Sequence, residues 1–459
     1  MVYSQTNPTP PEALTIVDAD MVRNVADAVG AMDEARIRAL VAELRPPDLA
    51  DLIELLEAGK RAPFVQALGS EINYDVFSEL DETVRDQLSQ ELPTSYLARA
   101  VTELASDDAA YFLETMEPED RAVVLEQLPE GDRATLKRNL DYPNETAGRL
   151  MQGEFVSVAP FWNVGQVIDY MRETDDLPET FSEIYVVDPT FRVLGSVNLS
   201  YLLRSKRHIA IEKIMQSDIS MVEATADQEE VALLFERYDL FSAPVVDGNG
   251  RLVGVVTVDD VVEVIQDEVD EDIRRLGGVG DESVVDSVFH TTKSRFVWLF
   301  VNLLTAVLAS LVIHLFDASI AEMVALAVLM PIVASMGGNA GTQTMTVVVR
   351  ALATRDLSSV NASRVILREV SVGLLNGLLF ALILAVLTIL WFGSGLLGVV
   401  IGAAMIFNHL AAALAGILIP LTLQRLNYDP AVASSVFVTT ITDVVGFFAF
   451  LGLATAWLL

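Results

Sequence analysis

Five apolar segments follow one another in the last third of the chain, near Phe296–Phe316, Met323–Val349, Val370–Phe392, Leu396–Leu423 and Ala431–Leu458. Each is long enough to cross roughly 30 Å of hydrocarbon. Backbone groups at that depth must satisfy one another, so residues 295–459 are predicted to form a bundle of five membrane helices. Orientation follows from the basic residues of the short loops. Lys293 and Arg295 precede the first segment, Arg350, Arg355, Arg364 and Arg368 follow the second, and Arg425 follows the fourth. The other two loops and the C-terminus carry no Lys or Arg. A multi-pass protein of the cell (inner) membrane is expected, with its N-terminal region cytoplasmic and its C-terminus outside. The first twenty residues are polar, which argues against a cleaved signal peptide.

Charge is distributed unevenly about that boundary. Of 64 acidic and 30 basic residues, 58 and 23 lie before Lys293, so the cytosolic part holds essentially all of the net charge of -34. Such a surface repels nucleic acid and attracts cations. The chain has no cysteine. Thiolate sites and disulfides are therefore excluded, and carboxylates become the chief candidate ligands, which favours hard ions such as Mg²⁺ or Ca²⁺.

The cytosolic part reads as two modules and a connector. Residues 1–145 carry leucine-rich amphipathic stretches broken by Pro, Asp and Gly, as in Leu44-Arg-Pro-Pro-Asp-Leu-Ala-Asp-Leu-Ile-Glu-Leu-Leu56, and predict an all-α superhelical stack of short helices. An internal duplication follows. Ile184–Ser200 matches Ala243–Asp259 at a constant offset of 59 residues, each copy reading as strand, tight turn, strand and then a helix beginning at Ser200 or Asp259. This resembles a tandem pair of CBS domains, an α/β unit with copies at 146–210 and 211–266. CBS pairs often bind adenine nucleotides, and the pattern Gly254, Thr257, Asp260 of the second copy makes Thr257 and Asp260 nucleotide candidates. The first copy has Gly195, Asn198 and Tyr201 instead, without the acidic group that would meet a ribose. Residues 267–294 are predicted to form an acidic connecting helix. Asp260, Glu263, Asp267, Asp270 and Glu271 recur at three- and four-residue steps, a spacing at which like charges repel unless cations intervene.

Within the membrane segments the polar residues are few. Asp443 is the lone charge between Ala431 and Leu459, where a carboxylate costs about 2.5–3.5 kcal/mol to insert and usually marks an ion path. In the second segment, Leu329–Met345 contains Pro331, Gly337, Gly338 and Gly341 beside Asn339, Thr342, Gln343 and Thr344. Such a composition predicts a helix with a weakened hydrogen-bond ladder whose carbonyls line a cavity or face protein. Close packing through small residues is the competing reading for any one of these positions.

The order of helical module, CBS pair, acidic connector and five spans, with Gly-Gly-Asn-Ala-Gly-Thr-Gln at 337–343, Arg350-Ala-Leu-Ala-Thr-Arg-Asp356 and Thr442-Asp443, closely resembles the MgtE family of magnesium channels. The resemblance implies a homodimer whose membrane halves form a pore on the two-fold axis, gated by cytosolic modules that sense Mg²⁺. Carried onto matching positions, it makes Asp443 the central ion-binding residue, with Gly338, Asn339 and Thr342 in the neighbouring wall. Thr342 stands where some members have Asn. For sensing, the resemblance points to Asp227, Glu229, Glu236 and Asp239 in the second CBS copy, and to Asp260, Glu263, Glu268, Glu271 and Asp272 on and after its last helix. It also points to Asp75, Asp107 and Gly148 on the helical module's side and to Asp429 before the last span. Tyr111 departs from the pattern, standing where a second acidic residue is expected.

Other function classes fit less well. Intramembrane metalloproteases need a ligand pair such as His-Glu-x-x-His, and His208, His290, His314 and His409 have no such spacing, so no enzyme is expected. An anion pore would present cationic or N–H groups where this chain has Asp443. Transport of another divalent cation, such as Co²⁺, Ni²⁺, Zn²⁺ or Mn²⁺, is the remaining alternative.

Overall fold

The structure is a computed structural model and describes residues 17–174, 177–178, 180–280, 288–357, 361–431 and 434–458. Two compact units divide the chain at Gln266/Asp267.

The first unit opens with short helices whose starts follow local chemistry. Asp18 and Asp33 accept the backbone N–H groups of Met21 and Arg36 at the ends of Ala19–Gly30 and Glu34–Val41. Proline opens Pro46–Leu55 and Pro118–Gln127, where its missing N–H costs nothing. The buried stripes interlock through Phe64, Phe77 and Phe112, with the Phe77 and Phe112 rings edge-to-face at 5.2 Å. Arg85 is also buried here, its guanidinium lying 3.7 Å over the ring of Tyr111.

The duplication folds as two equivalent three-stranded sheets. Strands β1 (Ser157–Val158), β2 (Glu183–Val187) and β3 (Val193–Asn198) form the first, and β4 (Val222–Glu223), β5 (Ser242–Val246) and β6 (Leu252–Thr257) the second. In each, the first pair is parallel and the hairpin antiparallel, and both hairpins shift register at matching positions, Val186/Val187 and Val245/Val246. The turns are set alike. Asp188 accepts the N–H groups of Thr190 and Arg192, and Asp247 those of Asn249 and Arg251. The helices after the hairpins begin at Leu199 and Val258, one residue ahead of the predicted starts. Gly195 on β3 lies against the Gln216 carbonyl, which accepts the N–H of Ser196 at 3.0 Å, so an added Cβ would collide with fixed backbone. Gly195→Ala is expected to destabilise this unit by about 1–3 kcal/mol, seen as a lower melting temperature of the purified chain.

In the second unit, five helices are long and apolar enough to cross a membrane. They run Val288–His314, Ala325–Ala353, Ala362–Phe392, Gly395–Arg425 and Ser434–Trp457. The fourth is the most enclosed, with Leu397, Val400, Ile401, Ala404 and Met405 packing into one cluster with Leu329 and Val333 of the second span and Phe450 and Leu451 of the fifth. The first span packs against the fifth and leaves most of its Phe and Leu side chains exposed. The second span is one helix from Ala325 to Ala353 that carries Pro331 inside it, where the ladder lacks one N–H donor. Its glycines serve packing: an added Cβ at Gly337 would strike Asn408, and one at Gly341 would strike Val438, whereas Gly338 has nothing within 4 Å.

Candidate metal sites

Polar side chains of the second span share one exposed face. Ser335, Asn339, Thr342 and Thr346 follow at steps of three and four residues and are all exposed in the single chain, with Gly338 beside them. A polar stripe on a membrane helix must meet water, protein or an ion rather than lipid. The fifth span packs against this helix and carries Asp443, half-buried, one turn from Thr439 and Thr440. The hydroxyls of Thr440 and Thr442 are turned onto their own helix, donating to the carbonyls of Val436 and Thr439. Asp443 is thus the one carboxyl group on that part of the fifth span.

In the first unit the structure brings Asp75, Asp107 and Asp260 to one cleft of about 1020 Å³, lined also by Asp108, Glu154, Glu183, Thr257 and Asp259. Helix Ser106–Glu114 supplies Asp107 and Asp108 at its first turn, and helix Val258–Leu276 supplies Asp259 and Asp260 at its own. Asp260 accepts from the Thr257 hydroxyl at 2.6 Å and shares a side-chain hydrogen bond with Asp107. Burial holds Asp107 well above the ordinary carboxylate range, and the charges of Asp260 and Asp108 add to that. Asp108 is pushed up to about 7 by burial and then by Asp260, Glu263, Asp75 and Glu79. Asp260 is raised to about 6, chiefly by burial, against the stabilising Thr257 bond. Asp108 was not singled out from the sequence; its signal is the Asp107-Asp108 pair opening a helix. Tyr111 is occupied by Arg85, and Asp108 is the second acid that this helix offers to the cleft.

The other candidates of this unit lie apart. Asp227 caps helix Gln228–Tyr238 through the N–H of Glu229, and Asp239 ends it in the left-handed region at φ 51°. Glu229, Glu236 and Asp239 are exposed. Gly148 donates its N–H to the Ala224 carbonyl, and Thr146 pairs with Asp227, so Gly148 and Asp227 belong to one edge. The Tyr142 ring lies so close to Gly148 that no side chain fits there. Among the described residues no group of three or more His, Asp or Glu side chains is already drawn together closely enough to hold a metal ion.

A second acidic meeting lies in the second unit. Asp272 is raised to about 6 by burial and by the charges of Asp429 and Glu268. Arg275 bridges Glu271 of its own helix and Asp429 of the loop before the fifth span. Leu276 packs against Met345, Val349, Ala415, Ala431 and Val438, which fixes the helix end there. Sequence reading missed Arg275, although Glu271 and Arg275 have the i,i+4 spacing of a helical ion pair. The connecting helix spans Val258–Leu276 and ends at Gly277 and Gly278, the latter with a φ of 69°. Residues 281–287 of the predicted 267–294 connector lie outside the described residues.

Comparison with known proteins decides the family. A family model described as a divalent cation transporter, MgtE, matches residues 330–453; one described as the MgtE intracellular N domain matches 44–145; and CBS domains match 147–208 and 211–267. The magnesium transporter MgtE of Thermus thermophilus is 34% identical over 94% of this chain and 97% of its own length. The chain belongs to the MgtE family. The magnesium transporter MgtE of Bacillus subtilis is 29% identical over 92% of this chain and 94% of its own. A crystal structure of the cytosolic domain of the Mg²⁺ channel MgtE in complex with ATP covers 53% of this chain and 99% of its own, at 32% identity and a TM-score of 0.50. Membership and the five spans make this a multi-pass membrane protein of a transporter family, with a helical N domain, a CBS pair and a helical membrane domain.

Proposed function

We propose that the chain carries Mg²⁺ into the cell down its electrochemical gradient, as a homodimer, and that Mg²⁺ bound to its acidic cytosolic residues closes it. The observation that carries the reading is Asp443 on a fifth span packed against the second, whose Asn339 and Thr342 are exposed, in a chain 34% identical to a magnesium transporter over nearly its whole length. Mg²⁺ dehydrates reluctantly and keeps several waters, so its path needs few direct ligands and many surrounding oxygens. One Asp443 from each of two copies, with amide and hydroxyl groups around them, meets that need. An inside-negative potential supplies about 4.6 kcal/mol per 100 mV to a doubly charged ion, so no phosphate hydrolysis is required. The N-terminal modules lie in the cytoplasm and the C-terminus outside.

Closure is proposed to work through charge. With little Mg²⁺, the acids of the cleft and of the connecting helix repel; with more, ions shared by Asp75, Asp107, Asp260 and Glu263, by Glu268, Glu271, Asp272 and Asp429, and by Asp227, Glu229, Glu236, Asp239 and the Gly148 edge draw these elements together. Thr257 and Asp260 also make the cleft a candidate for adenine nucleotide, the class of ligand bound by the related cytosolic domain. The experiment that tests the transport reading is Mg²⁺ uptake into proteoliposomes under an inside-negative potential, with Co²⁺, Ni²⁺, Zn²⁺ and Mn²⁺ as competitors. Saturable Mg²⁺ uptake supports it. Uptake of another of these ions without Mg²⁺ overturns it in favour of that cargo.

Metal binding in the cleft should also displace protons. Asp108 near 7 and Asp260 near 6 are partly protonated at pH 6.5, and a carboxylate must be deprotonated to bind an ion. Adding Mg²⁺ to weakly buffered protein is expected to release more protons from Asp108 and Asp260 at pH 6.5 than at pH 8.5. Equal release at both values would count against these acids as ligands.

A further inference from the structure

We propose that Asn408, in the fourth span, is a positioning residue that sets the separation of the second and fifth spans and thereby the ion discrimination of the path between copies. The inference rests on the reading that Asn339, Thr342 and Asp443 line that path. Asn408 has no exposed surface, and its amide nitrogen donates to the Val333 carbonyl of the second span at 2.8 Å. Two glycines on two other helices leave room for it. A Cβ on Gly337 of the second span would sit well inside contact distance of that nitrogen, and one on Gly446 of the fifth span would lie 2.7 Å from it.

These positions bracket the proposed ion residues. Gly337 is two residues before Asn339, and Gly446 is three after Asp443, so the amide lies where the polar faces of both helices are anchored. Among the described residues the Asn408 side-chain oxygen is buried with no donor, so the hydrogen bond to Val333 is its one polar tie. A buried amide whose oxygen has no donor is a poor choice for stability alone, since an apolar side chain of similar volume leaves nothing unpaired. It is a good spacer, because its volume and its single bond fix one distance between three helices.

Separation matters for selectivity because Mg²⁺ keeps a compact octahedral shell of waters at about 2.0–2.1 Å that the path must fit as a unit, whereas Ca²⁺ accepts six to eight oxygens at about 2.3–2.6 Å in variable geometry. The experiment uses the full-length chain in proteoliposomes and measures Mg²⁺ and Ca²⁺ uptake for wild type, Asn408→Ala, Gly446→Ala and the double variant. Wild-type Mg²⁺ uptake is the control, and its absence sinks the transport reading rather than this one. With it present, Asn408→Ala is expected to raise the Ca²⁺-to-Mg²⁺ flux ratio at least about threefold. Gly446→Ala is expected to cut Mg²⁺ flux about tenfold beside native Asn408 and to cost far less in the double variant, where the truncated side chain of the fourth span leaves room for the added methyl group. Parallel loss of both fluxes in Asn408→Ala, or an equal effect of Gly446→Ala in both backgrounds, overturns the proposal. If Asn408→Ala does not fold, a changed flux ratio in Gly446→Ala alone supports it and an unchanged ratio overturns it.

Discussion

Replacing Asp443 by Ala should reduce Mg²⁺ uptake at least tenfold while leaving the protein folded. A carboxylate about 4 Å from a unit charge is worth roughly 4 kcal/mol at an effective dielectric constant of 20, and more against a divalent ion. A tenfold change in rate needs only about 1.4 kcal/mol. The neighbouring polar groups cannot replace the lost charge, because Asn339, Thr342, Thr440 and Thr442 are all neutral. Asp443→Asn, which keeps the volume, should behave like the alanine variant if charge is what matters. Asp443→Glu should retain part of the flux. The measurement is initial uptake under a fixed inside-negative potential at matched protein content, with melting temperature as the check on folding. Equal uptake by wild type and Asp443→Ala would remove Asp443 from the pathway.

What could be read beforehand followed the distance over which each signal acts. The spans were legible because apolar length is a local property, yet the third helix begins at Ala362 rather than near Val370. Its first turns carry Arg364, Arg368 and Glu369, which hydropathy counts against a span although they continue the same helix. The duplicated hairpins were legible as strand, tight turn and strand, since the Asx turns that close them at Asp188 and Asp247 are completed within four residues. The roles of Gly337 and Gly341 were not, because they depend on Asn408 and Val438, residues of other helices. Arg275 shows both cases. Its pair with Glu271 follows from spacing on one helix, but its pair with Asp429 crosses 154 positions of sequence. Asp108 differs again: it was visible beside Asp107, and only the approach of Asp260 and Glu263 singles it out.

Neutralising Asp260, Glu263 and Glu271 together, as Asp260→Asn, Glu263→Gln and Glu271→Gln, should abolish or greatly weaken inhibition by cytosolic Mg²⁺ while leaving the transport path intact. All three lie on the helix Val258–Leu276, and none is in a membrane span. In wild type, flux should fall as Mg²⁺ on the cytosolic side rises into the millimolar range. Binding at about 1 mM corresponds to about 4.1 kcal/mol, so losing ligands worth about 1.4 kcal/mol moves the midpoint tenfold. Removing three carboxylates, of which Asp260 meets Asp107 and Glu271 shares Arg275 with Asp429, should therefore shift it by at least that factor. The same change removes the repulsion that holds these elements apart at low Mg²⁺, so flux at zero Mg²⁺ should fall somewhat even as its dependence on Mg²⁺ flattens. That combination separates an ion sensor from a simple structural defect, which would lower flux and keep the midpoint. Flux is read in proteoliposomes whose cytosolic modules face the bath, titrated with Mg²⁺ on that side. An unchanged midpoint in the triple variant would mean that the acidic helix is a solvated face rather than the element that couples ion level to the path.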